Sequence, residues 1–367
     1  MATQSMIRKI LTNMNRPSSK SVRVAIIGTG LMARTHAESY RKIRGCTLVA
    51  AVDVDRKRAQ AFAATHGIPT AYGSVADLLA KADCDAVSIV APDALHAPLA
   101  LQCLRSGKHV LCEKPLALNY AEARRMQAAA KKAGVMHLVN FSYRNWSCVH
   151  AVAEVIRSGK LGDLRHVEAS YLQSWLLQPQ WGDWRTTPAF LWRLSQRHGS
   201  KGVLGDIGVH LVDFATYPAG PIKKVFAQLK VFPKAQGDRI GPYHFDANDS
   251  AVLNVEFANG ALGTIHTTRW AGGHVNHLSL KISGTLGSVD IDSERTTTGY
   301  RICAGRDLAK SGWREVKVKP VPDMYQRFIT AIRTGRADQP DFARGAEVQQ
   351  VLDACFRSDA LGRPVMV

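Results

Sequence analysis

The sequence predicts an α/β fold: an N-terminal domain built on a parallel β-sheet, followed by an α+β domain with a large, mainly antiparallel open sheet. Two observations carry this prediction. Over about the first 140 residues, short β-rich runs alternate with alanine-rich helical runs, which is typical of right-handed βαβ units. Beyond them, longer runs of alternating polarity are separated by turns that contain glycine, which is typical of antiparallel strands.

Length and composition indicate an ordinary globular chain. It has 367 residues, of which 46% are hydrophobic and 21% charged, and a single core stops growing at roughly 250–300 residues, so two domains are expected. We predict a flexible basic leader over 1–20, a first domain over 21–141 and a second domain over 142–367. The leader lacks the apolar centre of a secretory signal, and an organelle transit peptide is the alternative interpretation.

Charge and cysteine usage argue against several classes of partner. The net charge is +18, but the lysines and arginines are spread along the chain without a DNA- or RNA-binding motif, so we expect no nucleic-acid partner. No apolar run reaches the roughly 18 residues that span a bilayer, so we expect no membrane partner. The seven cysteines form no C-x-x-C pair, which favours a reducing, cytoplasmic setting without a disulfide framework or zinc knuckle.

In the first half, buried strands alternate with helices, and the parallel sheet they predict would be covered on both faces. The predicted strands are 22–27, 47–52, 86–91, 109–112 and 136–140. The predicted helices are 32–43, 56–67, 98–106 and 120–133.

The second half is predicted to form an antiparallel sheet with helices on one face. Asn259 and Gly260 separate two alternating runs, which is a strong hairpin signal, and a second hairpin is expected around 284–287. The predicted helices are 149–157, 203–217, 323–334 and 344–361.

A glycine motif stands at the junction of the first strand and first helix. Gly28-x-Gly30-x-x-Ala33 allows a tight turn, lets backbone N–H groups approach a pyrophosphate and permits close helix–strand packing, as in a Rossmann dinucleotide-binding domain. Leu31 and Met32, inside the motif, belong to the predicted cofactor-binding set. The alternative is a glycine turn without a ligand.

Asp53 ends the second strand, twenty residues after the motif. A carboxylate there accepts hydrogen bonds from an adenosine ribose hydroxyl and repels a 2′-phosphate, so NAD is the predicted cofactor. Arg56 and Arg58 follow closely and are able to hold that phosphate, so NADP stays open.

Polar residues follow three further strands, at the edge where a parallel sheet binds ligands. The predicted cofactor contacts there are Pro92, His96, Glu113 and Lys114. Lys114, between a glutamate and a proline, would be a positioned charge that stabilises negative charge on an alcohol oxygen; the alternative is a surface lysine.

Two side chains that follow the last of these strands, Tyr143 and Arg144, are predicted to contact substrate.

Asp206 and His210 lie four residues apart at a helix start and share one face. Histidine could act as general base while the aspartate orients it. A metal pair and a structural histidine are the alternatives. No third ligand is evident nearby, so we predict no metal site.

A tryptophan-rich segment gives the only clue to the substrate. Trp175 and Trp184 are predicted to stack on a sugar or cyclitol ring, because aromatic faces pack against C–H surfaces. The alternative is that these tryptophans are domain core or a subunit contact.

The segments "VAIIGTGLMARTHAESY", "GKHVLCEKPLAL" and "KGVLGDIGVHLVDF" together resemble the Gfo/Idh/MocA family of oxidoreductases from about residue 22 to the end. This resemblance implies a Rossmann domain followed by an α/β domain whose open sheet makes homodimer or homotetramer contacts. It implies a cis peptide before Pro115. Carried over, Lys114 is the polarising lysine, His210 the acid/base and Asp206 its orienting or substrate-binding partner.

The function expected from these observations is an NAD(P)-dependent dehydrogenase acting on a secondary alcohol of a sugar, sugar derivative or cyclitol. One alternative on the same fold is a glycosidase that uses NAD for transient oxidation. Another is a regulator that senses NAD without catalysis.

Overall fold

The computed structural model describes residues 21–367; the predicted leader, 1–20, lies outside the described residues. The described chain forms two compact units. The first contains the described residues through Ala117, Ala121–Asn140 and Pro322–Gly345. The second contains Leu118–Tyr120, Phe141–Val321 and Ala346–Val367.

The first unit is built on a six-stranded parallel sheet in the order β3-β2-β1-β4-β5-β6. The strands are β1 (Val22–Ile27), β2 (Cys46–Val52), β3 (Thr70–Tyr72), β4 (Ala86–Ile89), β5 (His109–Cys112) and β6 (His137–Val139). The order reverses between β1 and β4, and the carboxyl ends of strands at such a reversal form the ligand-binding crevice of doubly wound sheets. The predicted parallel sheet is confirmed, and the short edge strand β3 is an addition to it.

Helices connect these strands in the alternation that the sequence predicts. They are α1 (Leu31–Arg41), α2 (Arg56–Thr65), α3 (Val75–Lys81), α4 (Asp93–Arg105) and α5 (Tyr120–Ala133).

The first unit also contains helix α9 (Met324–Thr334), although its sequence lies in the segment predicted as the second domain. Asp323 caps the helix by accepting a hydrogen bond from the Gln326 amide at 2.8 Å. Its apolar face, which includes the fully buried Phe328, packs in one cluster with Ile26 and Tyr40. Periodicity predicts the helix but not its place, because the residues it packs on are far away in sequence.

The second unit is built on a nine-stranded sheet in the order β16-β15-β14-β13-β7-β12-β11-β8-β17. Its strands are β7 (Leu164–Gln173), β8 (Ile222–Lys230), β11 (Ser250–Phe257), β12 (Leu262–Thr268), β13 (Asn276–Gly284), β14 (Gly287–Asp292), β15 (Gly299–Ala304), β16 (Arg314–Lys317) and β17 (Val365–Met366). A separate pair, β9 (Arg239–Ile240) and β10 (Tyr243–His244), forms a small ribbon. Strands β7 and β12 pair in parallel, and the other neighbouring strands of the nine pair antiparallel, which confirms a mainly antiparallel sheet.

Both predicted hairpins form, as β11–β12 and β13–β14. The α-helices of this part of the chain are α6 (Ser147–Arg157), the short α7 (Pro188–Leu191), α8 (Val209–Ala219) and most of α10 (Phe342–Leu361). Within residues 21–367, no helix has the length and apolar character needed to cross a membrane.

Replacing Phe328 by Ala should destabilise the first unit by about 3–5 kcal/mol, because it opens a cavity in a packed core. Hydrogen exchange measured by mass spectrometry should show faster exchange in peptides from β1 and β4 than in the unsubstituted protein. Thr330→Ala, on the exposed side of the same helix, is the matched control and should leave exchange unchanged. Equal protection in both variants would contradict the packing described.

Candidate functional site

The glycine motif forms an open cradle at the end of β1. Gly28 has φ of +93°, and a Cβ there would lie 2.5 Å from the Val90 carbonyl oxygen, so only glycine fits. A Cβ on Gly30 would meet no atom within 4 Å, and α1 begins there without a side-chain cap. Leu31 and Met32 are exposed, at 81% and 48%. The first N–H groups of α1 therefore border open space, which fits a pyrophosphate.

Asp53 ties this cradle to the second strand. Its carboxylate accepts hydrogen bonds from the Thr29 amide (3.0 Å) and hydroxyl (2.7 Å) and from Arg58 Nη2 (2.6 Å). Burial raises the pKa of the Asp53 carboxyl, but hydrogen bonds from Arg58 and Thr29 outweigh it and leave the pKa below its ordinary value. An ionised carboxylate at this position suits a ribose hydroxyl, while the half-exposed Arg58 side chain carries a charge that attracts a 2′-phosphate.

Glu113 lies buried beneath the turn that carries Lys114. Its carboxylate is 2.9 Å from His36 Nε2 and accepts a hydrogen bond of 2.6 Å from the Asn140 side-chain amide. His36 Nδ1 lies 2.8 Å from the hydroxyl of Ser88 on β4. Burial raises the pKa of Glu113, whereas the hydrogen bond and charge of His36, with Lys114 and Asn140, lower it to about 2. The carboxylate is thus a buried anchor for the turn, and a direct cofactor contact by Glu113 stays a prediction.

His96 holds the other side of the same turn. Its ring is fully buried, with Nδ1 2.7 Å from the Pro115 carbonyl oxygen and Nε2 2.8 Å from the Ala91 carbonyl oxygen. Pro92 is the residue that precedes α4. The Lys114–Pro115 peptide is cis, as the resemblance implies. His96 therefore joins two of the predicted cofactor-binding loops, and a direct cofactor contact by its ring stays a prediction.

Asp206 and His210 lie where two kinds of helix meet. A π-helical turn, Leu204–Gly208, carries Asp206 and runs directly into α8, whose second residue is His210. Such π turns are rare and occur frequently at functional sites. His210 is 7% exposed, and the edge of its ring packs near Tyr143, with ring centroids 4.9 Å apart.

The sequence interpretation missed Arg269, which is fully buried beside this pair. Its guanidinium donates hydrogen bonds to the Asp206 carboxylate (2.9 Å) and to the Arg193 carbonyl (3.2 Å), and it lies 4.9 Å from the centre of the Trp175 ring. A signal was present, because Arg269 continues the buried positions of β12 at a spacing of two residues. A charge on the buried side of an alternating strand needs a partner.

Tyr143 and Arg144 are neighbours with different surroundings. The hydroxyl of Tyr143 forms a short hydrogen bond with that of Tyr171 and accepts one from the Asn276 side chain at 3.2 Å. The Arg144 guanidinium is buried and donates two hydrogen bonds to Asp213, at 2.6 and 2.8 Å. A substrate contact by Arg144, as predicted, would have to replace this buried ion pair.

Trp175 and Trp184 are both buried, at 4% and 2%, in one apolar cluster. Trp184 donates a hydrogen bond to the Leu176 carbonyl at 3.2 Å, and Trp175 packs on Phe190 and donates to Gln173 at 3.1 Å. This packing agrees with the alternative weighed from the sequence, domain core. Trp175 is connected to Asp206 through Arg269.

Most of the residues predicted from sequence lie in two groups, one in each unit. The carboxyl edge of the parallel sheet brings together Gly28, Gly30, Asp53, Pro92, Glu113 and Lys114. In the second unit the start of α8 carries Asp206 and His210, with Tyr143 against the histidine ring.

Comparison with known proteins assigns both parts of the chain to the same family. Residues 22–141 match the model of the oxidoreductase family with an NAD-binding Rossmann fold, and residues 149–290 match the GFO/IDH/MocA C-terminal domain. Glucose-6-phosphate 3-dehydrogenase of Bacillus subtilis is 30% identical over 94% of this chain and 98% of its own length. Levoglucosan dehydrogenase of Pseudarthrobacter phenanthrenivorans is 28% identical over 93% and 97%.

A solved structure has the same fold over nearly the whole chain. Levoglucosan dehydrogenase in complex with NADH and levoglucosan superposes with a TM-score of 0.83 at 27% identity, covering 95% of this chain and 100% of that one. The predicted family, enzyme class and NAD cofactor are confirmed. The chain belongs to the Gfo/Idh/MocA family of NAD-binding oxidoreductases.

Proposed function

We propose that this protein is a dehydrogenase that oxidises a secondary alcohol of a sugar, sugar derivative or cyclitol with NAD. The observation that carries the proposal is the turn of Lys114, whose two neighbours are fixed by buried hydrogen bonds to His36, Asn140 and His96. A lysine on such a constrained turn is suited to a reaction in which a fixed positive charge stabilises negative charge on one substrate atom. Relatives named for the oxidation of levoglucosan, glucose 6-phosphate and myo-inositol support the substrate class.

Each residue has a defined role in the proposal. Lys114 donates a hydrogen bond to the alcohol oxygen and stabilises the negative charge that develops there. His210 accepts the hydroxyl proton, and Asp206 binds or orients the substrate. When bound, NAD would supply the hydride acceptor, and the carbon that bears this hydroxyl would lose a hydride so that the alcohol becomes a carbonyl. Arg269 keeps the Asp206 carboxylate in place.

The set of residues that we propose to contact substrate is smaller than the set predicted from sequence. Tyr143 stays in the set, because its hydroxyl belongs to a polar chain beside His210. Trp175 supports the site through Arg269, and Trp184 supports the loop around it. Arg144 anchors α8 through Asp213.

We also propose that the nine-stranded sheet forms the contact of a homodimer or homotetramer in the cytoplasm. One face of β11 and β12 carries the exposed Val252 (42%) and Leu262 (60%). Exposed apolar residues on adjacent strands are suited to burial against another chain.

Lys114→Met should lower kcat/KM at least about 1,000-fold, because it removes the positive charge at the alcohol oxygen, while the other cofactor contacts remain and keep the Kd for NAD within about threefold. His210→Asn should lower kcat/KM by about 100- to 10,000-fold. The measurement is NADH absorbance with a panel of sugars, sugar acids and inositols. Lys57→Met, an exposed lysine on α2, is the control.

Full activity of Lys114→Met would contradict the proposed role. Glycoside cleavage without net NADH formation would support the glycosidase alternative instead. NAD binding without reduction across the whole panel would support the regulator.

Asp53→Ser should shift the ratio of kcat/KM for NADP to that for NAD about 10- to 100-fold toward NADP. The substitution removes a repulsive carboxylate and releases Arg58 to bind a 2′-phosphate. Steady-state kinetics with both cofactors measure the ratio. The double variant Asp53→Ser with Arg58→Ala should lose the gain, and an unchanged ratio in Asp53→Ser would refute the role of this pair.

Val252→Asp should reduce the oligomer to single chains, because it places a charge in the proposed contact. Sedimentation equilibrium measures the mass. Leu286→Asp, at the exposed turn between β13 and β14 (55% exposed), is the matched control. The same mass for both variants and the unsubstituted protein would argue against this surface.

A further inference from the structure

A second polar cluster lies at the open end of the β13–β14 hairpin, among residues to which the proposed reaction assigns no role. It contains His274, His277, Asp292 and Glu294. His277 is the second residue of β13, and Glu294 follows β14 by two residues. The pairing of Ser279 with Asp292, continued by the hydrogen bond from the Ser293 amide to the Leu278 carbonyl, sets His277 opposite Glu294. The hairpin register therefore brings these side chains together.

The side chains of His274, His277 and Glu294 point toward one small volume. Nδ1 of His274 is 2.8 Å from Glu294 Oε1, and Nδ1 of His277 is 3.8 Å from the same oxygen. The two imidazole rings stack, with centroids 4.8 Å apart and planes 23° from parallel. One ligand atom from each of the three residues lies within 4.8 Å of the others. In a tetrahedral zinc site with bonds of about 2.0–2.2 Å, ligand atoms lie about 3.3–3.5 Å apart, so small side-chain rotations suffice.

The ring of His277 is oriented from behind by a carboxylate. Its Nε2 is 2.9 Å from Asp292 Oδ1, which assigns the ring proton to Nε2 and leaves a lone pair on Nδ1. That Nδ1 is buried and has no hydrogen-bond partner among residues 21–367. A carboxylate that fixes a histidine tautomer so that the other nitrogen faces a cation is the usual outer arrangement of protein zinc sites.

We propose that His274 Nδ1, His277 Nδ1 and Glu294 bind a divalent first-row transition metal, zinc foremost, with Asp292 as the outer partner of His277. Two imidazoles and one carboxylate favour zinc and its neighbours over magnesium or calcium, which prefer all-oxygen sites. Three protein ligands leave a fourth position for water. The sequence predicts no metal site, because no third ligand is evident near Asp206 and His210 and the cysteines form no zinc knuckle.

The surrounding charges are compatible with a bound cation. Arg295 follows Glu294 directly in the chain, and its guanidinium is 2.6 Å from Asp290 and 3.7 Å from Asp292. These carboxylates offset its charge. His274 and Glu294 are about a third and a half exposed, so a metal ion has access from solvent.

The test uses the untagged full chain after removal of metal with a chelator. Zinc titrated by calorimetry should bind one ion per chain, and cobalt should give the visible absorption of a tetrahedral site. His274→Ala, His277→Ala and Glu294→Gln should each weaken zinc binding at least about 100-fold. Asp292→Asn should weaken it about 10- to 100-fold. His166→Ala, an exposed histidine on β7, is the matched control and should not change the Kd.

Thermal unfolding gives an independent readout. Zinc should raise the unfolding midpoint of the unsubstituted protein and of His166→Ala, and not that of Glu294→Gln, because only a folded site gains binding energy. Glu294 is half exposed, so its amide variant should fold normally, which circular dichroism checks. Absence of stoichiometric zinc binding, or equal affinity in all variants, would overturn the proposal.

Discussion

The candidate site of the first unit depends on one buried carboxylate. Glu113 has lost most of its hydration, and the hydrogen bonds from His36 and Asn140 replace it. Hydrogen bonds to a charged group are each worth about 1.5–3 kcal/mol, and a buried charge without them is far more costly. His36 comes from the helix that begins at the glycine motif, and Asn140 follows β6. The elements that shape the cofactor cradle therefore also fix the turn that carries Lys114.

A second buried charge plays the same part in the other unit. Burial lowers the pKa of the Arg269 guanidinium, and the charge of the Asp206 carboxylate opposes this effect without cancelling it. Arg269 cannot turn toward solvent, because its side chain is enclosed and stacks on Trp175. Asp206 therefore meets a fixed cation at 2.9 Å, which holds its carboxylate in one orientation. In each unit, a buried charged residue thus positions a residue that we propose for chemistry: Glu113 fixes the turn of Lys114, and Arg269 fixes Asp206. Neither buried residue takes part in the proposed reaction.

Sequence predicted the parts of this architecture that local patterns encode. Strand and helix periodicity predicted the two sheets, and the glycine motif with Asp53 predicted the cofactor edge. Local patterns did not predict contacts that join distant segments. Examples are the packing of α9 against Ile26 and the hydrogen bond between His96 and the Pro115 carbonyl. Sequence alone did not decide whether Trp175 and Trp184 contact substrate or belong to the protein core, because an aromatic face packs equally well on a sugar and on protein.

Arg144 shows how a buried charge can be interpreted more fully from sequence. Asp206, His210, Asp213 and Tyr217 recur at spacings of four, three and four, so they follow one stripe along the helical segment. Arg144 pairs with Asp213 and lies 3.5 Å from the centre of the Tyr217 ring, so it contacts the two C-terminal residues of this stripe. His210 is the preceding residue of the same stripe, and its ring packs against Tyr143. Because Tyr143 and Arg144 are adjacent, one short segment both contacts the histidine and anchors the helix that carries it. An arginine beside a candidate site residue is therefore better interpreted by first seeking an acidic partner on the neighbouring helix stripe.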